Sequence, residues 1–178
     1  EQKGYSYYNR HPCNNGDFLV MPNLKKLCDK IISECIETLS MSTAVVSQIK
    51  HGTYELVAVK SDCYSFFPGD AFPLSQSSCC QRVISNGNTI GLTELRACPT
   101  GCMHPLYAGL PLETYIGTPI YKNDQIWGTL NLSSMLKRPH PFTLEEIRFI
   151  EEQAKQISRE LSSKHQPQTG ATEEPLHN

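Results

Sequence analysis

The sequence predicts an α+β fold: an antiparallel sheet with the helices from both chain ends on one face and loop and helix material on the other. Three observations predict it. Two stretches, Leu24 to Leu39 and Ile147 to Leu161, repeat apolar residues at three- and four-residue steps. Between them lie β-branched and aromatic runs bounded by turn-forming residues. The resulting order is helix, hairpin, helix, strand, long loop, hairpin, helix.

Residues Glu1 to Met21 are polar and aromatic, broken by Gly4, Pro12, Asn14, Asn15 and Gly16, and read as an irregular lead-in. After Pro22 the helical stripe begins: Leu24, Leu27, Cys28, Ile31, Ile32, Cys35, Ile36 and Leu39, with Asn23 as the expected N-cap. Cys28 and Cys35 fall on the stripe and read as small buried hydrophobes. Ala44 to Lys50 and Tyr54 to Lys60 form a hairpin around His51-Gly52. From Ser61 to Leu74 a loop follows, since Pro68-Gly69 and Pro73 preclude a long regular element.

Ser75 is expected to start a second helix through Cys79, Cys80, Val83 and Ile84, with Asn86-Gly87 as its stop. A short strand, Thr89 to Leu92, leads into a connection from Thr93 to Leu112 that is rich in Pro, Gly and Cys. A helical turn is expected near Tyr107, and a loop this long is usually functional. Glu113 to Ser134 then reads as two strands around Lys122-Asn-Asp-Gln125. Gly117 and Gly128 interrupt these strands, marking a bulge or a close backbone approach.

The last helix opens with a capping box, Thr143 to Glu146. Its apolar residues Ile147, Ile150, Ala154, Ile157 and Leu161 form a heptad-type seam. Two readings stay open: packing onto the sheet, or a homodimer stalk through this C-terminal helix. Beyond Ser162 the composition is that of a linker. The expected organisation is a lead-in over 1–21, one domain over 22–163 and a tail over 164–178.

Composition sets the outer limits. A chain of 178 residues with 39% hydrophobic content is long enough to bury a core. Sixteen basic against eighteen acidic residues leave a net charge of −2, and no basic run with interleaved aromatics occurs, so no nucleic-acid partner is expected. No apolar run is long enough to span a bilayer, and no charged-then-apolar leader opens the sequence. Eight cysteines are compatible with a reducing, cytoplasmic location and free thiols in a chain this size. Starting at Glu1 rather than Met, the chain is expected to be a cut fragment or a processed product.

Four stretches carry a family resemblance: His104-Pro-Leu-Tyr107, Glu113-Thr-Tyr-Ile-Gly-Thr-Pro-Ile120, Trp127-Gly-Thr-Leu-Asn-Leu-Ser-Ser134 and Arg138-Pro-His-Pro-Phe-Thr143. With the run from Cys79 to Gly87, they make Asn23 to Ser163 resemble a GAF domain, closest to the sensory modules of bacterial histidine kinases and diguanylate cyclases. The resemblance implies an antiparallel sheet of about six strands with a roofed pocket on the face away from the terminal helices. It also implies an output domain elsewhere in the full-length protein. Carried over, the roof is Phe66 to Leu74 and Arg96 to Leu112, and the floor is the hairpin from Glu113 to Ser134. The candidate lining is Phe67, Phe72, Cys79, Cys98, Cys102, His104, Tyr107, Tyr115, Trp127 and Asn131. Such an apolar cleft with a few polar handles suits a small organic ligand.

The cysteines allow other chemistries. Cys98, Cys102 and His104, with Cys79 or Cys80, have the ligand types of a zinc site. A loop thiolate within reach of Cys79 or Cys80 would make a redox pair. The free methionine-(R)-sulfoxide reductases, a catalytic branch of the GAF superfamily, place cysteines on this helix and loop, which Cys79 or Cys80 with Cys98 or Cys102 broadly imitates. His104-Pro-Leu-Tyr107 is similar to the His-x-x-Tyr of bilin-binding phytochromes, with Met103 where the attachment cysteine would stand.

Overall fold

A computed structural model of the chain describes residues 22–63, 65–74, 78–95 and 112–163. The expectations for the lead-in, the tail, the turn near Tyr107 and the group Cys98, Cys102 and His104 lie outside these residues. The elements run α1 (Pro22–Leu39), β1 (Thr43–Lys50), β2 (Thr53–Ser61), β3 (Ala71–Pro73), α2 (Cys79–Asn86), β4 (Ile90–Leu92), β5 (Thr114–Lys122), β6 (Gln125–Ser134) and α3 (Leu144–Ser163). Six strands form one antiparallel sheet in the order β3-β2-β1-β6-β5-β4.

Local chemistry explains the boundaries. α1 starts at Pro22 itself, so Asn23 sits inside the first turn rather than capping it. A proline there loses nothing, because its missing N–H would have had no helical partner. Both hairpins turn through two residues of positive φ, His51 and Gly52 at 52° and 72°, Asn123 and Asp124 at 51° and 62°. That is the mirror-image turn whose twist matches the flanking strands. α2 begins later than expected. Ser78 caps it by accepting the Gln81 N–H at 3.1 Å, and Gly87 closes it in the left-handed region. The strand absent from the sequence reading is β3. Its three residues pair with β2 at the sheet edge, where a proline costs no ladder bond that matters.

The helix face of the sheet is closed by apolar packing. Ile31, Ile32, Cys35, Ile150 and Ile157 are buried there against Val46, Ile116, Ile120, Leu130 and Leu132. This decides the α3 seam: Ile150, Ala154, Ile157 and Leu161 are core. For these four residues the packing reading of the seam holds, since their side chains lie against the sheet. Cys28 and Cys35 are fully buried in the same layer, and burial pushes both thiols up to about 12.

Two bulges set the faces. Val46 pairs with Ala58 but Ser47 with Leu56, leaving Val57 extra on β2. Ile120 pairs with Gly128 but Tyr121 with Ile126, leaving Trp127 extra on β6. An extra residue reverses the alternation of side chains on either side of it. Among the described residues, no helix is long and apolar enough to cross a membrane.

Candidate functional site

On the face away from α1 and α3, the strands present polar side chains in a row. β6 contributes Thr129, Asn131 and Ser133, which alternate with the apolar Leu130 and Leu132 of the other face. β1 adds Ser47 opposite Thr129, and β5 adds Tyr115 opposite Ser133. Tyr54 arrives from β2, and α2 lays Cys79, Cys80 and Val83 across the row. An apolar rim surrounds it, including Val45, Leu56, Leu95, Phe66, Phe72 and Leu92.

These polar groups are linked. The Asn131 amide donates to the Tyr54 hydroxyl at 3.0 Å and to the Thr129 hydroxyl at 3.3 Å. Thr129 and Ser47 share a hydroxyl pair at 2.9 Å. The Cys80 thiol lies 3.5 Å from the Tyr115 hydroxyl. Ser133 is 1% exposed, and its hydroxyl has no hydrogen-bond partner among the described residues. A buried hydroxyl without a partner is costly, so it marks a place where a ligand or water would be stabilised.

Burial dominates the electrostatics. It pushes the Cys80 thiol up, against the opposing hydrogen bonds of Tyr115, Tyr54 and Thr129. It also holds Tyr115 well above the ordinary phenol range. Both groups are neutral near pH 7. A thiol is nucleophilic as the thiolate, and burial here favours the protonated form of Cys80.

The two glycines of the hairpin serve this face in different ways. A Cβ on Gly117 would overlap the Tyr115 hydroxyl, so its absence lets the Tyr115 ring fold across its own strand. A Cβ on Gly128 would overlap the Ser47 carbonyl, so β6 can pair closely with β1 only with glycine there.

Of the expected lining residues, Phe72, Cys79, Tyr115 and Asn131 lie on this face. Two do not. Phe67 is 55% exposed, and Phe66 takes the inward place, edge-on to Phe72 with centroids 6.3 Å apart. Phe67 leads into the turn at Pro68-Gly69, where its N–H donates to Asp70 at 2.9 Å. Trp127 packs against the helix-face core, because the β6 bulge reverses its side relative to Asn131. Cys98, Cys102, His104 and Tyr107 lie outside the described residues. Among those described, no group of three His, Cys, Asp or Glu is placed to hold a metal ion.

The sequence reading missed Tyr54, Ser47, Thr129 and Ser133. A step of two from Asn131 would have found Thr129 and Ser133. Nothing local marked Tyr54 or Ser47, which reach the row only through strand pairing.

A family model described as GAF domain matches residues 23–161. No curated protein matches the chain in sequence. Solved structures share the fold at low identity. The cyanobacteriochrome receptor PixJ aligns at 15% identity with a TM-score of 0.65, over 82% of this chain and 99% of that one. A methyl-accepting chemotaxis protein, residues 122 to 287, aligns at 13% with a TM-score of 0.66, over 83% and 93%. Free methionine-R-sulfoxide reductase from Neisseria meningitidis aligns at 12% with a TM-score of 0.62, over 83% and 83%.

Proposed function

This chain belongs to the GAF domain family, and from that premise we propose that it is a regulatory sensor module of a bacterial signal-transduction protein. It binds a small organic ligand on the polar face of the sheet, in the cytoplasm. The output partner is a domain of the histidine kinase or diguanylate cyclase kind in the full-length protein. The ligand favours one arrangement of the sheet and terminal helices over another, and the output follows that shift in population. One observation carries the reading: the buried neutral row Tyr54, Thr129, Asn131 and Ser133, with one hydroxyl unpartnered among the described residues. Similar folds in a chemotaxis protein and a cyanobacteriochrome receptor support a sensing role.

The test is thermal melting of the full chain with a panel of cyclic nucleotides, amino acids and free nucleobases, beside an absorption spectrum and metal analysis of the purified protein. One class of compound should raise the midpoint by several degrees, and Asn131→Leu should abolish the rise. Turnover of free methionine sulfoxide with a thiol reductant would instead make the chain an enzyme and end the sensor reading.

A further inference from the structure

Arg138 lies in the turn between β6 and α3, and three groups hold it. Its Nη1 donates to the Leu39 carbonyl, at the end of α1, at 2.8 Å. Its Nη2 pairs with Oε1 of Glu146 in the first turn of α3. Its guanidinium lies 4.5 Å from the centre of the Phe142 ring, a cation–π contact. The other Glu146 oxygen accepts the Thr143 N–H at 2.8 Å, and the Thr143 hydroxyl accepts the Glu146 N–H at 3.2 Å. One planar fork thus ties the last turn of α1 to the capping box of α3. Elsewhere the two helices bury almost wholly apolar side chains, whose contacts resist separation but fix no direction.

The seat of this fork is set from the sheet. β4 alternates: Ile90 and Leu92 pack with the candidate site, while Gly91 faces the other way, against Phe142. A Cβ on Gly91 would stand 2.8 Å from Cδ2 of that ring, so the ring occupies the space a side chain would need. β4 therefore touches the ligand-side cluster on one face and the ring beneath Arg138 on the other.

We propose that Arg138 is a clasp joining the two terminal helices, and that β4 works it through the Gly91–Phe142 contact. A group pressing on Ile90 and Leu92 moves β4, shifts the Phe142 ring and loosens the guanidinium from Leu39 and Glu146. The two helices then move relative to each other while the core stays packed. Arg138 is a positioning residue in this scheme. Only the input to the clasp rests on the sensor reading above.

Amide hydrogen exchange on the full chain tests it, since local openings report separately from global unfolding. The reporters are the Met41 N–H, bonded to Ile36 at 3.2 Å, and the Ile147 N–H, bonded to Thr143 at 3.0 Å. The Val46 amide, in a central strand, is the control. Arg138→Gln should speed both reporters about tenfold, the loss expected for charge-assisted hydrogen bonds, and leave Val46 unchanged. Arg138→Lys keeps a charge for Glu146 but cannot fork to Leu39 as well. It should speed Met41 and spare Ile147. Glu146→Gln should do the reverse, and Gly91→Ala should speed both without altering a polar group. Unchanged reporters in Arg138→Gln would overturn the clasp. A silent Gly91→Ala would overturn the link to β4. Equal acceleration at Val46 in every variant would reduce Arg138 to a general stabiliser and also overturn it. Should Arg138→Gln not fold, the opposite responses of Arg138→Lys and Glu146→Gln decide the matter. A chain that shows this pattern yet binds nothing in the melting panel keeps the clasp and loses the sensor role.

Discussion

On one face of β5 and β6, Ile116, Ile120, Leu130 and Leu132 meet the apolar stripes of α1 and α3. On the other face of the same strands, Tyr115, Thr129 and Asn131 meet Tyr54 and Cys80 through hydrogen bonds. The first face is held by burial, which is non-directional and tolerates exchange of one apolar group for another of similar size. The second is held by directional bonds among neutral groups, each of which becomes costly when its partner is removed. On the proposed function, stability and recognition are thus divided between the faces. A sheet one residue thick can carry both because its side chains alternate.

The largest break in that comparison comes from a charge on the helix face. Ile157→Lys places an ammonium where the side chain is fully buried between α3 and the sheet. The chain should lose its folded circular dichroism spectrum. Survival as a folded chain would mean that α3 is not packed as described, and conversion of an unsubstituted dimer into folded monomers would support the stalk. A smaller effect tests the polar face. Asn131→Leu removes an amide that serves both Tyr54 and Thr129, and should cost about 1–3 kcal/mol in urea denaturation. A neutral result would mean that the row is not an ordered network.

The smallest effect is a pH dependence that belongs to the helix face. Cys28 and Cys35 are raised by burial from 9.0 to about 12 in the folded chain. A raised thiol means that the folded state keeps its proton where the unfolded state has lost it. Stability from these groups is therefore level below about pH 9 and falls as pH rises from there towards 12. At pH 10 each thiol should account for about 1.4 kcal/mol of lost stability. Cys28→Ala should flatten the fall in the urea midpoint between pH 8 and 10 by that share. An identical slope in the variant would show that the thiol is not desolvated.

The α1 and α3 stripes, both two-residue hairpin turns, the capping box and the Gly87 stop were legible because each depends on residues within one or two turns of chain. Asn131 and Tyr115 were legible as members of a strand face. Trp127 and Phe67, carried over from the family resemblance, lie elsewhere because the β6 bulge turns Trp127 to the helix face and Phe66 takes the inward place ahead of the Pro-Gly turn. β3 was missed because three residues with a proline carry no period, and pairing with β2 alone makes them a strand.

The sequence by itself determined the fold class, the order of its elements apart from β3, and the apolar residues of α1 and α3. These follow from local propensity and from periods that a short window reveals. The tertiary structure alone decided which face each β6 side chain occupies, that Ile150, Ala154, Ile157 and Leu161 of α3 are core, and that Tyr54, Cys80 and Asn131 lie on one face of the sheet. It also decided that Arg138 reaches back to Leu39. The physical reason is register. The β1–β6 pairing and the bonds Asn131–Tyr54 and Arg138–Leu39 join residues up to 99 positions apart, and no local pattern encodes the partner.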